Sequence, residues 1–371
     1  MNNNPPLFWP RLLEPPPANV LLVYLDLNHW IGLAKASVGH REGLALVDVL
    51  EACRATHSAG AAVFVLSGTI YAEMLKIKDP AQRLDLARVM EELTRFATLI
   101  SRVAVMKCEL ATMLDPVAKL PSPLAKVPLV GRGVRHAFGW SSGIAIVDES
   151  GRDATAELRA EMGAAAFDRR MEEIFVESER AMLRGAADQN EDQELRAIGY
   201  RPEGPRGVIE KRAEQERELK RNLDVDPHWR RGRLRDVISE RELRIEFQNI
   251  LPRALHERGL VLADVIMNEE SARAFMRAMP TTEVAIEIKT AWHRNGQRDW
   301  TTNDIDDIDA MALAVPYCDV VVTEKACRHI LKVANLPERL GTAVLHKLMD
   351  LPEVLHQRTP KQRLWSQAGQ G

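Results

Sequence analysis

Apolar residues in this chain gather into short continuous runs near its two ends and into helical repeats elsewhere. Residues 20–25, 62–66, 96–100, 319–323 and 342–345 are dominated by Val, Leu, Ile, Phe and Ala, without the alternation of a half-exposed strand. Such runs, bounded by turn residues, predict strands of a parallel sheet covered on both faces. Between them, apolar positions at helical spacing predict helices over 41–56, 81–94, 103–114, 280–293 and 326–334, with a short helix or loop at 29–36. Ser67-Gly68-Thr69 forms a turn and cap that opens a further helix carrying Glu73, and the segment after Thr301 is helical until Pro316 stops it. Strand, helix, strand, helices, strand, helix is the order of an α/β fold with crossover connections.

The texture changes after residue 116. Pro121, Pro123 and Pro128 sit among short apolar pieces, and a basic, glycine-containing stretch follows at 131–140. That stretch lacks the Lys-Ser/Thr of a phosphate-binding loop and reads as turns. Residues 153–260 are dense in Arg, Glu, Ala and Leu, which predicts several helices joined by turns at 199–207 and 224–227. Basic residues from Lys211 to Arg221 alternate with Glu210, Glu214, Glu216 and Glu218, as on a solvated helix face. The chain therefore divides into a Pro/Asn-rich lead-in (1–17), an α/β domain in two parts (18–115 and 276–350), a mainly helical insertion (116–275) and a tail (351–371). The helix over 280–293 is expected to be amphipathic.

Two of the predicted strands end on acids: 20–25 runs into Asp26, and 319–323 into Glu324. In open parallel sheets the ligand crevice lies outside the carboxyl ends of the strands, so both acids are aimed at one place. Like charges gathered there raise one another's pKa unless a cation neutralises them, which points to a divalent metal. Asp304, Asp306, Asp307 and Asp309 open the helix that leads into the second of these strands. First-turn carboxylates suit a helix dipole, and that plain reading covers Asp304, Asp306 and Asp309. Asp304 and Asp307 share a face. Asp319 begins its strand and belongs to the opposite edge.

With 371 residues, 46% of them hydrophobic, the chain can hold one large or two ordinary domains. No run approaches the length of a membrane span, and the first residues lack the basic start and apolar core of a signal peptide, so a cytoplasmic protein is expected. Cys53, Cys108, Cys318 and Cys327 lack metal-site or disulfide spacing. A net charge of −3 speaks against a nucleic-acid clamp over the whole surface but leaves a local basic patch open. His293 and Arg294, with Arg230 and Arg231, are the candidates for contact with an RNA phosphate, against the plainer reading of helix caps and charged surface.

Asp26-x-Asn28, Ser67-x-Thr69-x-x-x-Glu73, and Asp307 followed by Ala312-x-Ala314 and Thr323 together resemble the PIN domain family of nucleases. The resemblance covers about 18–115 and 276–350. It implies a three-layer sandwich with a central parallel sheet, and acids that hold Mg²⁺ or Mn²⁺ to hydrolyse RNA, leaving 5′-phosphate and 3′-hydroxyl ends. Many members are toxins of toxin–antitoxin pairs, so an antitoxin or regulatory partner is a further implication. From its composition and placement, the helical insertion is expected to lie over or beside the metal edge and select the RNA, or else to build a homodimer. Two departures stand out. The family's last acid lies two residues after the Thr, where this chain has Lys325, with Glu324 one residue earlier. Asp304 and Asp307 also compete for the third position, and spacing favours Asp307. The expected assignment makes Asp26 and Asp307 direct ligands, with Glu73 and Glu324 holding metal waters or a second ion and Asp304 a further ligand or a cap. Asn28 would orient Asp26, and Thr323 would hydrogen-bond the cluster. The alternatives are a DNA or structure-specific nuclease of the same chemistry and a catalytically silent PIN-like module.

Overall fold

The chain adopts a mixed α/β fold, seen in a computed structural model that describes residues 11–14, 19–120, 125–140, 145–186, 188–197 and 204–361. Pro15 to Pro17, Pro121, Pro123, residues 199–203 of the expected turn and the tail beyond 361 lie outside them. At the centre are β1 (Leu21–Leu25), β2 (Ala62–Val65), β3 (Val320–Val322) and β4 (Ala343–Leu345), all parallel, in the order β2-β1-β3-β4. Every residue of β1 and β3 is buried, as an all-apolar strand in the middle of a covered sheet must be. Asp319 does lie at the amino edge, where its Oδ2 accepts the Leu22 amide at 2.7 Å and ties the start of β3 to β1.

Helices follow the carboxyl ends of the strands and cover the sheet. Such are α1 (Leu27–Ser37), α2 (Gly68–Met74) and α8 (Lys325–Val333), after β1, β2 and β3; the chain also forms α3 (Arg102–Val117), α4 (Gly204–Val225), α5 (Leu234–Ile245), α6 (Pro280–Arg294) and α7 (Thr302–Tyr317). Residues 29–36 thus belong to a full helix. Pro316 sits in the last turn of α7 and Pro116 in that of α3, each ending its helix one residue later than the proline itself. Asp26, Ser67 and Thr301 cap α1, α2 and α7 by accepting backbone N–H groups, which fixes where each helix leaves the sheet.

Several expectations are corrected. The run at 96–100 forms a three-residue strand, Ala97–Leu99, but it reaches the central sheet only through a parallel bridge from Thr98 to Leu66. Arg95 and Phe96 both adopt positive φ and turn the chain aside, and the strand pairs antiparallel with Val130–Arg132 instead. Within the lead-in, Arg11–Glu14 forms a strand parallel to Ala125–Pro128. The first part of the insertion therefore adds short strands rather than helices alone. Its later helices share an apolar core with the α/β part: Leu219 and Leu223 of α4 and Leu234 and Ile238 of α5 cluster with Met106, Leu110 and Leu114 of α3 and Ile286 of α6. That cover explains why α6 is buried around most of its circumference rather than amphipathic.

Polar residues on these helices meet inside. Lys289 of α6 pairs with Glu242 of α5 and, at 2.9 Å, with Glu216 of α4; all three side chains are almost fully buried. Arg102 reaches Glu242 at 3.3 Å and Asp309 at 2.7 Å, and Arg212 also bonds Asp309. The 211–221 stretch is thus not simply solvated, because Arg212 and Glu216 point inward. Burial by itself disfavours the Lys289 ammonium, but Glu216 and Glu242 reverse the effect and hold its pKa above the usual lysine value. Lys289→Met is expected to cost about 3–5 kcal/mol in urea unfolding, because two buried glutamates lose their shared cation. A variant as stable as the parent would show that the network contributes nothing net.

Candidate functional site at the carboxyl edge of the sheet

Strand register assembles the site. Leu25 pairs with Val322, and the Asp26 amide donates to the Val322 carbonyl at 3.0 Å, so Asp26 emerges beside Thr323. Thr323, 2% exposed, donates its hydroxyl to Asp26 Oδ2 at a long 3.5 Å, the supporting contact expected of it. Asp26 Oδ1 accepts the Leu27 amide at 2.9 Å. Burial, partly offset by that amide and then reinforced by nearby Glu324, pushes the Asp26 carboxyl up to about 6.

Glu73 comes to the same place from α2. Its carboxyl is pushed up to about 8 by burial and then by the charges of Asp26, Asp307 and Asp306, against a weaker opposing effect of Lys76. Asp307 approaches from the first turns of α7, raised to about 7 by burial and then by Asp26, Glu324, Asp304 and Asp306. Three elements distant in sequence thus deliver carboxylates whose charges oppose one another.

The four aspartates of α7 meet different fates. Asp304 closes a capping box with Thr301, accepting its amide at 2.7 Å, and pairs with Arg298. Both of its oxygens are engaged, so the cap accounts for it and the metal-ligand role does not. Asp306 pairs with Lys76 at 2.7 Å. Asp309 is held by Arg102 and Arg212, whose guanidiniums overcome the effect of burial and keep its carboxyl well below the ordinary range. Helix-start charge therefore describes Asp304, but not Asp306 or Asp309. Asp307, like Glu73, accepts no hydrogen bond and forms no ion pair with any described residue.

Glu324 stands exposed at the start of α8. Asn28 donates to its Oε1 at 2.8 Å and so orients Glu324 rather than Asp26, because it lies beyond the cap in the first turn of α1, facing β3. Two neighbours went unnoticed in the sequence. Lys76 lies three residues after Glu73, in the turn just past the end of α2, and its closeness in sequence to Glu73 could have flagged it. His29, one residue after Asn28, has a buried Nε2 with no partner among the described residues and lies within electrostatic reach of Glu324 and His346. The proposed phosphate contacts fare differently. His293 is 1% exposed and bonds Glu216 at 2.9 Å, so it serves the buried network and cannot meet an external phosphate. Arg230 is spent on the His293 and Leu223 carbonyls and on Asp224. Arg294 and Arg231 are exposed.

Among the described residues, no three His, Cys, Asp or Glu side chains close on one point as a ready-built metal cage. The donors at this edge are carboxylate oxygens, which fit Mg²⁺ or Mn²⁺: a hard ion taking one or two carboxylates keeps water in its remaining positions. Asp26 and Asp307 would hold it, with Glu73 and Glu324 on its waters.

These raised pKa values set a pH dependence. Unfolded carboxyls titrate near pH 4, so between about pH 4 and 8 Asp26, Glu73 and Asp307 bind more protons in the metal-free folded state than in the unfolded chain. The stability these groups contribute therefore falls as pH rises through that window. Glu73→Gln is expected to melt above the unsubstituted protein at pH 8 without metal, with the gap closing toward pH 5. Mn²⁺ should narrow the gap at pH 8 from the other side by stabilising the unsubstituted protein. A gap that widened on acidification would refute the mutual repulsion.

Compared with known proteins, the chain matches no family model, no curated protein and no solved structure, so the reading of this edge rests on its own residues.

Proposed function

We propose that this chain is a metal-dependent ribonuclease of PIN-like architecture, an α/β sandwich whose helical insertion packs against its catalytic part. The observation that carries the reading is Asp307. Of the four aspartates on α7 it alone lacks a partner among the described residues; burial and then the charges of Asp26 and Glu324 raise its carboxyl, and its own charge with that of Asp26 raises Glu73. Keeping such a cluster unneutralised is costly for the fold, and a bound divalent cation removes the cost. The parallel sheet with helices leaving its carboxyl ends also agrees with the resemblance in the motifs.

The ion, when bound, supplies charge stabilisation and an acidified water. The chain's own residues do the rest. Asp26, fixed by the Leu27 amide and Thr323, and Asp307, fixed by α7, set the position of the reacting phosphate. Glu73, ionised once a cation offsets the neighbouring carboxylates, would accept the proton of the attacking water. Water oxygen bonds to phosphorus, the bond to the 3′ oxygen breaks, and that oxygen takes up a proton. The products then carry 5′-phosphate and 3′-hydroxyl ends.

The test is incubation of the purified protein with a mixed RNA pool and with single- and double-stranded DNA, in Mg²⁺, Mn²⁺ or EDTA. RNA cleavage that needs metal is expected, reduced more than about 100-fold by Asp26→Asn or Asp307→Asn and about 10- to 100-fold by Thr323→Val. Cleavage that survives EDTA or both aspartate substitutions would defeat the assignment. Preference for DNA would keep the chemistry and change the substrate.

A further inference from the structure

Beside the acidic edge stands an aromatic–cation pair that the hydrolytic chemistry leaves unused. The basic stretch at 131–140 does not form a loop: it runs through the strand Val130–Arg132 and a short helix, Gly133–Ala137, before turning outward. Two contacts join it to α2, the helix of Glu73. Glu179 accepts both the Tyr71 hydroxyl at 2.9 Å and the Val134 amide at 3.0 Å. Gly68, the first residue of α2, lies directly beneath, where a Cβ would meet the Ala137 carbonyl at 3.1 Å and the Phe138 ring at 3.6 Å. Gly139, at φ +85°, then presses against Ser101, with only 2.5 Å between the Ser101 hydroxyl and the place a Cβ would occupy. Only glycine fits that turn.

The turn leaves Phe138 42% and Trp140 61% exposed, with the Arg135 guanidinium 5.2 Å from the Trp140 ring centre. Two large exposed aromatics on a chain segment held this tightly are a binding surface in waiting. Aromatic faces stack on nucleobases whatever their identity, and arginine adds a cation–π contact and charge complementary to phosphate. Gly68 and Glu73 are five residues apart on α2, about 7.5 Å along the helix axis. The platform is therefore within reach of nucleotides flanking a phosphate held by the acids. Bases of duplex RNA present no free face to it.

We propose that Phe138, Trp140 and Arg135 form a stacking platform for unpaired bases of single-stranded RNA, which gives the proposed ribonuclease its substrate class. The proposal rests on the ribonuclease reading. It is tested with the full chain carrying Asp26→Asn, in EDTA, by fluorescence anisotropy of a labelled oligouridylate and of a duplex RNA of the same length. Adding Trp140→Ala or Phe138→Ala is expected to weaken single-strand binding about 5- to 100-fold, the range of one lost base stack. Trp140→Phe should restore most of the affinity, and Trp229→Ala, at an exposed tryptophan of the insertion, should leave it unchanged. Unchanged melting temperatures separate lost binding from lost folding, and Arg135→Gln offers a second variant that removes the cation beside Trp140 and keeps a polar side chain. Single-strand affinity unaffected by all three substitutions, or duplex bound as tightly as single strand, overturns the platform. The two readings fail separately. Metal-dependent cleavage with indifferent alanine variants removes the platform alone, whereas sensitive variants in a protein that cleaves nothing remove the nuclease alone.

Discussion

The parallel pairing of β1 with β3 is the contact on which the rest depends. It joins segments almost 300 residues apart, and its register sets Asp26 beside Thr323 rather than a residue to either side. A shift of one residue would turn Asp26 to the other face of the sheet, because strand side chains alternate. Asp319 locks that register from the opposite edge by accepting the Leu22 amide, so one aspartate at the start of β3 positions another at the end of β1.

Helix α7 then sorts charge. Its four acids fall within six residues, so helical geometry sends them in different directions: Asp306 toward Lys76, Asp309 toward Arg102 and Arg212, and Asp304 back to its own cap. Asp307 is what remains, pointed at other carboxylates. The buried cations of α3 and α4 matter here, because they neutralise the side of α7 away from the site and leave the repulsion concentrated on one face. The helices of the insertion are therefore part of what holds the acidic edge in place, rather than an appendage to it.

The local signals were legible where burial and chemistry coincide in a few adjacent residues. Asp26 and Glu324 could be found because each follows a run of fully apolar residues, and Asp319 could be set aside because it precedes one. Asp307 was favoured over Asp304 by spacing, and the engaged oxygens of Asp304 agree. His293 and Arg230 were misjudged because a charged residue at a helix end looks the same whether it meets water or a buried partner. For Asn28, the first turn of the helix after Asp26 carries it past the strand end toward Glu324, a rotation that a three-residue pattern does not reveal.

By itself the sequence determined the four strands of the central sheet and the acids that follow two of them, since these follow from continuous apolar runs and the residues next to them. Which charges would be neutralised was decided only by the tertiary structure. Lys289, Glu216, Glu242, Arg102, Arg212 and Asp309 lie on five different helices, and their pairing depends on which helix faces which across a shared core. A charge carries no local mark of its partner. Electrostatic energy depends on distance and burial in the folded chain, and neither is written in the order of the residues.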